Sequence, residues 1–428
     1  MRQTRKKRVL LIPAYYYSSN PLFLAIKERL PEWEFVYFFS KDTAAKEINM
    51  ENITSEKVGI HFDRYLELEY TPSWIRNRHR KQVMPLWKKM VTLRGVRYWF
   101  NLRRYTSCFK RQVRSLDVDL VVLPSDMTFS ARLMRTYFPG IPRVVIQPNF
   151  LDFRDKGRPN RVLRALLNGV IGVPFFPSQP YFGLEDLQSH LLIWGDKTEK
   201  FYGGKRSKVQ RITNPEHCSL LEQVAKARTE RPFEAFSEFA DLDPEKKTII
   251  LFVDSFAQVY GEVFQTRIEH DYVQIVNACL SQYNIVVKIH PSSDLSYYQR
   301  VFEPFLEARN FLLLKDNRCF HGLLAICDIN VSTFSYAGFQ AALVGSMSIN
   351  LFPDVLPKDT NHDWLSDCCQ CEATGHGDVI SFVRSLEESE VKQRCMKKSS
   401  EFVEKYVTSA SFNPQYWETL FSSFLHPV

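Results

Sequence analysis

A chain of 428 residues is too long for one ordinary hydrophobic core and fits two domains of roughly 200 residues each. Its composition, 45% apolar and 24% charged, excludes the disordered and fibrous classes, and no stretch approaches the ~20 apolar residues of a membrane-spanning helix. The net charge of +8 is concentrated in one place: from Tyr70 to Leu116 there is no Asp or Glu. In that span Arg76, Arg78, Arg80, Lys81, Lys88, Lys89, Arg94, Arg97, Arg103, Arg104, Lys110, Arg111 and Arg114 are interleaved with Trp74, Trp87, Tyr98, Trp99, Phe100 and Tyr105. Cations with aromatics favour an anionic lipid surface or a polyanionic partner such as an acidic substrate, with plain solvated helix faces as the alternative. Nucleic acid has the charge alone in its favour, with no zinc finger or RNA-binding signature, and is not expected as a partner.

The N-terminal basic cluster (Arg2, Arg5, Lys6, Lys7, Arg8) precedes an apolar run, Val9–Ala14, that is shorter than a signal-peptide core and reads as a first strand. A cytoplasmic protein, peripheral on the inner face of the plasma membrane, is the expectation. Nine cysteines at irregular spacing suit a reducing compartment.

Helical spacing over Asn20–Leu30 and a strand over Phe35–Phe39 complete a strand–helix–strand start, the opening of a doubly wound α/β domain. It carries no G-x-G-x-x-G, which disfavours a dinucleotide site there. The basic segment from Trp74 to Val113 reads as two or three helices broken near Pro85 and Gly95. Asp119–Asp126 and Ile141–Asn149 are strands that open into polar residues, with a helical pattern between them. Leu191–Trp194 and Val209–Thr213 are short strands. The second half restarts the rhythm: strand Lys247–Val253, helix Asp271–Ser281, strand Ile285–Ile289 and helix Tyr297–Glu307. Strand Phe311–Leu314, helix Gly322–Cys327, strand Ile329–Val331, helix Tyr336–Val344 and strand Ser348–Phe352 follow.

This pattern predicts an α/β protein with two Rossmann-like domains facing a cleft. Its parts are an N-terminal domain (1–195) with a basic insertion (70–116), a linker region (196–245) and a C-terminal domain (246–405). A C-terminal helix (406–428) packs back on the first domain.

Chemistry is expected where strands of the second domain run out into polar residues. Lys288 and His290, followed by Pro291, share a strand face. His290 is either a loop-bonded histidine or a donor to a phosphate oxygen on which charge develops. Ser332, Thr333 and Ser335 precede a helix, where they either cap it or help its N–H groups cradle a phosphate. Asp254 and Ser255, at the end of another strand, and Glu372, in the 372–375 region, are further binding candidates on the polar side of this domain. On the first domain Asp126 is the candidate general base, with N-cap of the following helix as its alternative, and Asp152 and Asp155 as rivals. Cys368, Cys369 and Cys371 with His362 and His376 match no standard metal-binding spacing, so no metal is expected. Serine-hydrolase, P-loop and zincin signatures are absent from the sequence.

These motifs resemble those of the GT-B superfamily of nucleotide-sugar glycosyltransferases. More narrowly, they look like the bacterial capsule, sialic-acid and Kdo transferases and the glycerophosphotransferases of teichoic-acid synthesis. Those groups have a His-Pro motif after a strand and a Ser/Thr-Ser motif at a helix start, matched here by His290-Pro291 and Ser332-Thr333-Phe334-Ser335. The resemblance implies an inverting, metal-independent transfer from a nucleotide sugar, a CMP-sugar favoured, to a glycan or glycolipid acceptor, with a carboxylate base from the N-terminal domain and no further cofactor. In that resemblance Asp254, Ser255 and Glu372 are candidates for the donor and its ribose. Asp117–Asn149 also resembles a segment of the UDP-GlcNAc 2-epimerases, including an aspartate at Asp126, and Ile212-Thr-Asn-Pro215 resembles their linker. A UDP-sugar 2-epimerase, a CDP-glycerol-type glycerophosphotransferase and a non-catalytic GT-B-like scaffold are the alternatives.

Overall fold

The structure, a computed structural model, describes residues 5–14, 16–39, 62–67, 93–149, 151, 161–179, 181–253, 261–291, 293–315, 317–333, 335–352 and 367–425. The chain forms two compact units, Met1–Glu216 with Ser409–Val428, and His217–Thr408.

The first unit is built on a parallel sheet of β1 (Arg8–Leu11), β2 (Glu34–Phe39), β3 (Arg64–Glu67), β4 (Leu120–Leu123), β5 (Arg143–Ile146), β6 (His190–Ile193) and β7 (Val209–Arg211). Their spatial order is β3-β2-β1-β4-β5-β6-β7. The strands are continuously apolar because both sheet faces are covered. Val9 and Leu11 point into one core with Leu22, Phe23 and Ile26 of α1 (Tyr16–Arg29). Leu10 and Ile12 point into the other, with Tyr105, Phe109 and Val113 of α2 (Leu93–Arg114) and Leu133 and Met134 of α3 (Phe129–Tyr137). Two further helices, α4 (Arg161–Ile171) and α5 (Asp196–Tyr202), belong to this unit. α2 runs through Gly95, where the sequence predicts a break. A glycine in a helix costs only about 1 kcal/mol, and the buried stripe of Leu102, Tyr105, Phe109 and Val113 outweighs it.

Thr213-Asn214-Pro215 starts α6 (Pro215–Thr229), the helix in which the chain passes from one unit to the other. Pro215 sits at its first position, where no N–H is needed, and the Asn214 side chain accepts from Glu216 N at 3.0 Å.

The second sheet comprises β8 (Thr248–Val253), β9 (Asn284–Ile289), β10 (Phe311–Leu314), β11 (Cys327–Ser332), β12 (Met347–Leu351) and β13 (Cys371–Ala373), all parallel, in the order β10-β9-β8-β11-β12-β13. Relative to the first strand of each sheet, this repeats the 3-2-1-4-5-6 order of the first unit, the doubly wound Rossmann-like topology. On one face Ile249, Leu251, Val287 and Val331 pack with α7 (Glu262–Cys279), α8 (Leu295–Val301) and, beyond them, α11 (His376–Ser385). On the other, Ile250, Phe252 and Val286 pack with α6, α9 (Phe320–Ala325) and α10 (Tyr336–Leu343). Phe339 of α10 stacks edge-on against Phe402 and Tyr406 of α12 (Ser389–Tyr406). The expected fold class, two Rossmann-like α/β domains, is what the chain adopts.

After α12 the chain returns to the first unit as α13 (Pro414–Leu425). Trp417, Phe421 and Phe424 are buried in the core below β1 and β2. Trp33 meets Phe421 edge-on at 6.3 Å, and Lys7 pairs with Glu418 at 2.9 Å.

α7 begins nine residues before the expected start, since its first turns expose Val263 and present only Phe264 and Ile268 to the core. Expected helix Tyr297–Glu307 is α8 followed by a 3-10 turn at Glu303–Phe305, because Pro304 cannot continue an α-helix. All nine cysteines are free thiols, eight of them buried as small apolar side chains.

Candidate functional site

In a doubly wound sheet, ligands bind beyond the carboxyl ends of the strands, at the point where strand order reverses. In the second unit that point lies between β8 and β11. β9 follows on one side and β12 and β13 on the other, so the His-Pro and Ser-Thr-x-Ser segments emerge on one edge of one sheet.

His290 is the first residue past β9. Its N–H donates to Val253 O at 2.9 Å, and its carbonyl accepts from Ser293 N at 2.9 Å. Backbone bonds on both sides fix the turn, Pro291 prevents the strand from continuing, and the His290 side chain stays exposed. Lys288 points elsewhere. Buried, it donates from Nζ to the carbonyls of Ile289 and Lys315, both at 3.0 Å, and ties the end of β9 to the segment after β10.

The three hydroxyls of the second motif also divide. Thr333 Oγ1 donates to Leu351 O at 2.8 Å, joining the ends of β11 and β12. Ser332 is buried beneath α10: a Cβ on Gly338 would stand 2.2 Å from its Oγ, so only glycine lets the helix sit this close. Ser335 is the N-cap residue of α10, with extended backbone and no side-chain cap bond. The first-turn N–H groups of α10 thus lie past the carboxyl end of β11 without a side-chain cap from Ser335. The helix start is held from below by Tyr336, whose hydroxyl lies 2.9 Å from Nε2 of His217. Burial pushes the His217 imidazole down to about 3, so it is neutral in the folded protein.

Past β13 stands a pair that the sequence does not announce. Asp271, fully buried on α7, accepts from Nδ1 of His376 at 2.7 Å and from the His376 N–H at 3.3 Å, with Arg267 Nε 3.4 Å from its other oxygen. The carboxylate engages Nδ1 of the ring and so fixes the orientation of the imidazole. The partners are 105 residues apart in sequence, and neither belongs to a spaced motif. Glu372, exposed on β13, is in register with Asn350 of β12. Asn350 is buried with no hydrogen-bond partner at either amide atom among the described residues. Asp254 and Ser255 lie outside the described residues, as do Asp152 and Asp155.

In the first unit Asp126 follows β4, but its carboxylate is buried. Oδ1 accepts from Gly183 N at 2.8 Å; Oδ2 accepts from Glu185 N at 2.9 Å and Asp186 N at 3.0 Å. Burial raises its pKa, against the opposing pull of these N–H groups and of Arg206. Asp126 thus anchors the 183–186 loop to the strand end. Position 183 has φ +72, and a Cβ there would stand 2.8 Å from the Leu191 side chain, so glycine completes that tight passage. The N-cap of α3 is Thr128, which accepts from Ala131 N, so the capping alternative for Asp126 does not hold.

Among the described residues no group of three His, Cys, Asp or Glu side chains is placed to hold a metal ion. None of the described helices is long and apolar enough to cross a membrane.

No protein-family model and no curated protein matches this chain. Solved structures do. A UDP-GlcNAc 2-epimerase from Neisseria meningitidis, bound to UDP-GlcNAc, aligns with a TM-score of 0.59 at 12% identity, over 98% of this chain and 99% of that one. A UDP-glucosyltransferase from Polygonum tinctorium aligns with a TM-score of 0.56 at 8% identity, over 99% and 100%. A variant of the wall teichoic acid polymerase TagF gives a TM-score of 0.56 at 10% identity, over 98% and 89%. The likeness is one of fold, the GT-B type of two Rossmann-like domains.

Proposed function

We propose that this protein is a nucleotide-sugar-dependent glycosyltransferase that inverts the anomeric centre and works without a metal ion. The observation that carries the reading is that an exposed histidine past β9 and a helix N-terminus with no side-chain cap past β11 stand on the same carboxyl edge of the second sheet. Both are groups that stabilise phosphate. The fold likeness to a UDP-glucosyltransferase and to an epimerase bound to a nucleotide sugar supports the donor class; the sequence resemblance favours a CMP-sugar.

In this reading the donor phosphate lies on the N–H groups and Ser335 hydroxyl at the start of α10. His290 donates to the phosphate oxygen that leaves. Lys288, Ser332 and Thr333 shape the edge without touching the ligand, and Pro291 ends the strand so that His290 faces outward. Glu372 accepts from a ribose hydroxyl, Asp254 and Ser255 extend the donor set, and His376, oriented by Asp271, supplies a second imidazole. The acceptor hydroxyl attacks the anomeric carbon as the bond from that carbon to the phosphate oxygen breaks. The proton of the hydroxyl passes to a carboxylate base, and the electron pair of the broken bond leaves on the nucleotide phosphate. Because Asp126 is committed to three N–H groups, we assign the base to Asp152 or Asp155. The acceptor is a glycan or glycolipid at an anionic membrane surface on the cytoplasmic side.

A second reading, sugar-nucleotide 2-epimerase, is favoured by the meningococcal structure and by the resemblance of Asp117–Asn149. Incubation with radiolabelled CMP- and UDP-sugars separates the two. Turnover that requires an added glycan acceptor supports transfer, and conversion of a UDP-sugar with no acceptor present replaces it with epimerisation.

A further inference from the structure

Helix α4 is amphipathic in the reverse sense. Its sequence, Arg-Val-Leu-Arg-Ala-Leu-Leu-Asn-Gly-Val-Ile, turns polar residues inward. Asn168 brackets the backbone of Phe176, accepting from its N–H at 2.8 Å and donating to its carbonyl at 3.0 Å. Arg164 donates to Pro177 O at 2.7 Å. Four aliphatic residues face out, Val162 at 71% exposed, Leu163 at 50%, Leu166 at 63% and Val170 at 58%, while Ile171 at the end of the helix is buried. Positions 162, 166 and 170 are successive turns of one face, so this is a continuous stripe, unlike the scattered apolar side chains of ordinary surfaces.

The neighbouring helix supplies the charge. α2 packs on α4 where Leu102 and Trp99 meet Ile171 and Val173, and Arg103 Nε donates to the Ile171 carbonyl at the end of α4. α2 contains no acidic residue, and its outward face presents Phe100, 70% exposed, then Arg103, Arg104, Arg111 and Arg114. Along its C-terminal half runs an open groove of about 550 Å³ lined by Ser107, Lys110, Arg111, Arg114 and Ser115.

An exposed aliphatic stripe beside a basic face fits an anionic lipid bilayer: side chains of the stripe enter the headgroup–acyl boundary while guanidinium and ammonium groups meet lipid phosphates. A second copy docked here about a twofold axis brings its own basic α2 into the contact, where like charges oppose association. We propose that α4 is a membrane-insertion helix, that Val162, Leu163, Leu166 and Val170 enter an anionic bilayer, and that the groove on α2 binds its phosphate headgroups. This deepens the membrane part of the proposed function and stands apart from the transfer chemistry.

The test is co-sedimentation of the full chain with vesicles of phosphatidylcholine alone and of phosphatidylcholine with one-third phosphatidylglycerol, at near-physiological salt. Two double variants accompany the wild type, Leu166→Glu with Val170→Glu, and Arg111→Glu with Arg114→Glu. All four sites are exposed, and an unchanged urea midpoint verifies folding. The expected result is retention on anionic vesicles only, weakened about tenfold or more by either pair. Undiminished binding by the Leu166/Val170 pair overturns the insertion, as does a wild type that ignores anionic vesicles. A wild-type dimer that the same pair splits, with no vesicle binding, makes the stripe a self-interface and also overturns it. Nucleotide binding measured on the same samples reports on the transferase reading separately.

Discussion

The hydroxyl of Ser332 and the backbone of Gly338 share one space, since a Cβ at position 338 would stand 2.2 Å from the Ser332 Oγ. The close approach of α10 to β11 brings the start of that helix to the sheet edge. Gly338→Ala must push the helix away or turn Ser332, at a cost of about 1–3 kcal/mol. Chemical denaturation of the variant will read that loss, accompanied by weaker nucleotide binding. A stable variant with unchanged binding would separate the α10 start from the ligand.

Asp126 is expected to act on stability. Asp126→Asn keeps one acceptor oxygen but turns an NH2 toward N–H donors, and a buried unsatisfied group costs about 1–3 kcal/mol. The urea midpoint should fall accordingly. A variant with the wild-type midpoint and no transfer activity would instead return the base role to Asp126.

The Asp271–His376 pair predicts a difference in kind between two variants. His376→Ala removes the second imidazole and should weaken nucleotide binding about tenfold, or ~1.4 kcal/mol. Asp271→Asn leaves the ring in place and loosens its hold on it, so binding should fall by less than in His376→Ala. Calorimetric titration with the nucleotide checks both, and two unchanged affinities would reduce the pair to a structural link.

His217 sets an acid limit on the second unit. Its ordinary pKa near 6.5 in the unfolded chain falls to about 3 in the fold. The unfolded state therefore binds the extra proton, and stability is full above pH ~6.5 and declines toward pH ~3, with a limiting slope of about 1.4 kcal/mol per pH unit from this group. By denaturation midpoints measured between pH 7 and 5, the wild type should lose stability relative to His217→Gln as pH falls, while the neighbouring Glu216, whose carboxyl burial pushes up to about 8, contributes the opposite slope to both proteins. Parallel curves would contradict the assignment.

Apolar runs such as Ile285–Ile289 and Leu120–Leu123 made the sheets legible in the sequence, because a strand covered on both faces must be apolar throughout. β3 and β13 were not legible: Arg-Tyr-Leu-Glu and Cys-Glu-Ala are short edge strands whose identity comes from pairing with β2 and β12. At the candidate site, His290 stands at its expected strand end, but the direction of a side chain is a tertiary property. Alternation puts Lys288 on the face of His290, yet its ammonium found two carbonyls first, and Asp126 found three N–H groups. Contacts made across long sequence separations, as between Asp271 and His376, leave no local spacing to read. The outward stripe of α4 carries a helical period that is the same whether the apolar side faces in or out.

The most direct measurement is the thermal shift of the purified protein with CMP, CDP, UDP and GDP, run beside His290→Ala. The account predicts selective stabilisation by a nucleotide, CMP foremost, that the variant loses while keeping its unliganded midpoint, because His290 is exposed and its fixed turn is made by backbone groups. Stabilisation by UDP or CDP in place of CMP would keep the site and change the donor. A folded protein that none of the four stabilises, or a His290→Ala variant that responds like the wild type, would contradict the placement of a nucleotide at this edge.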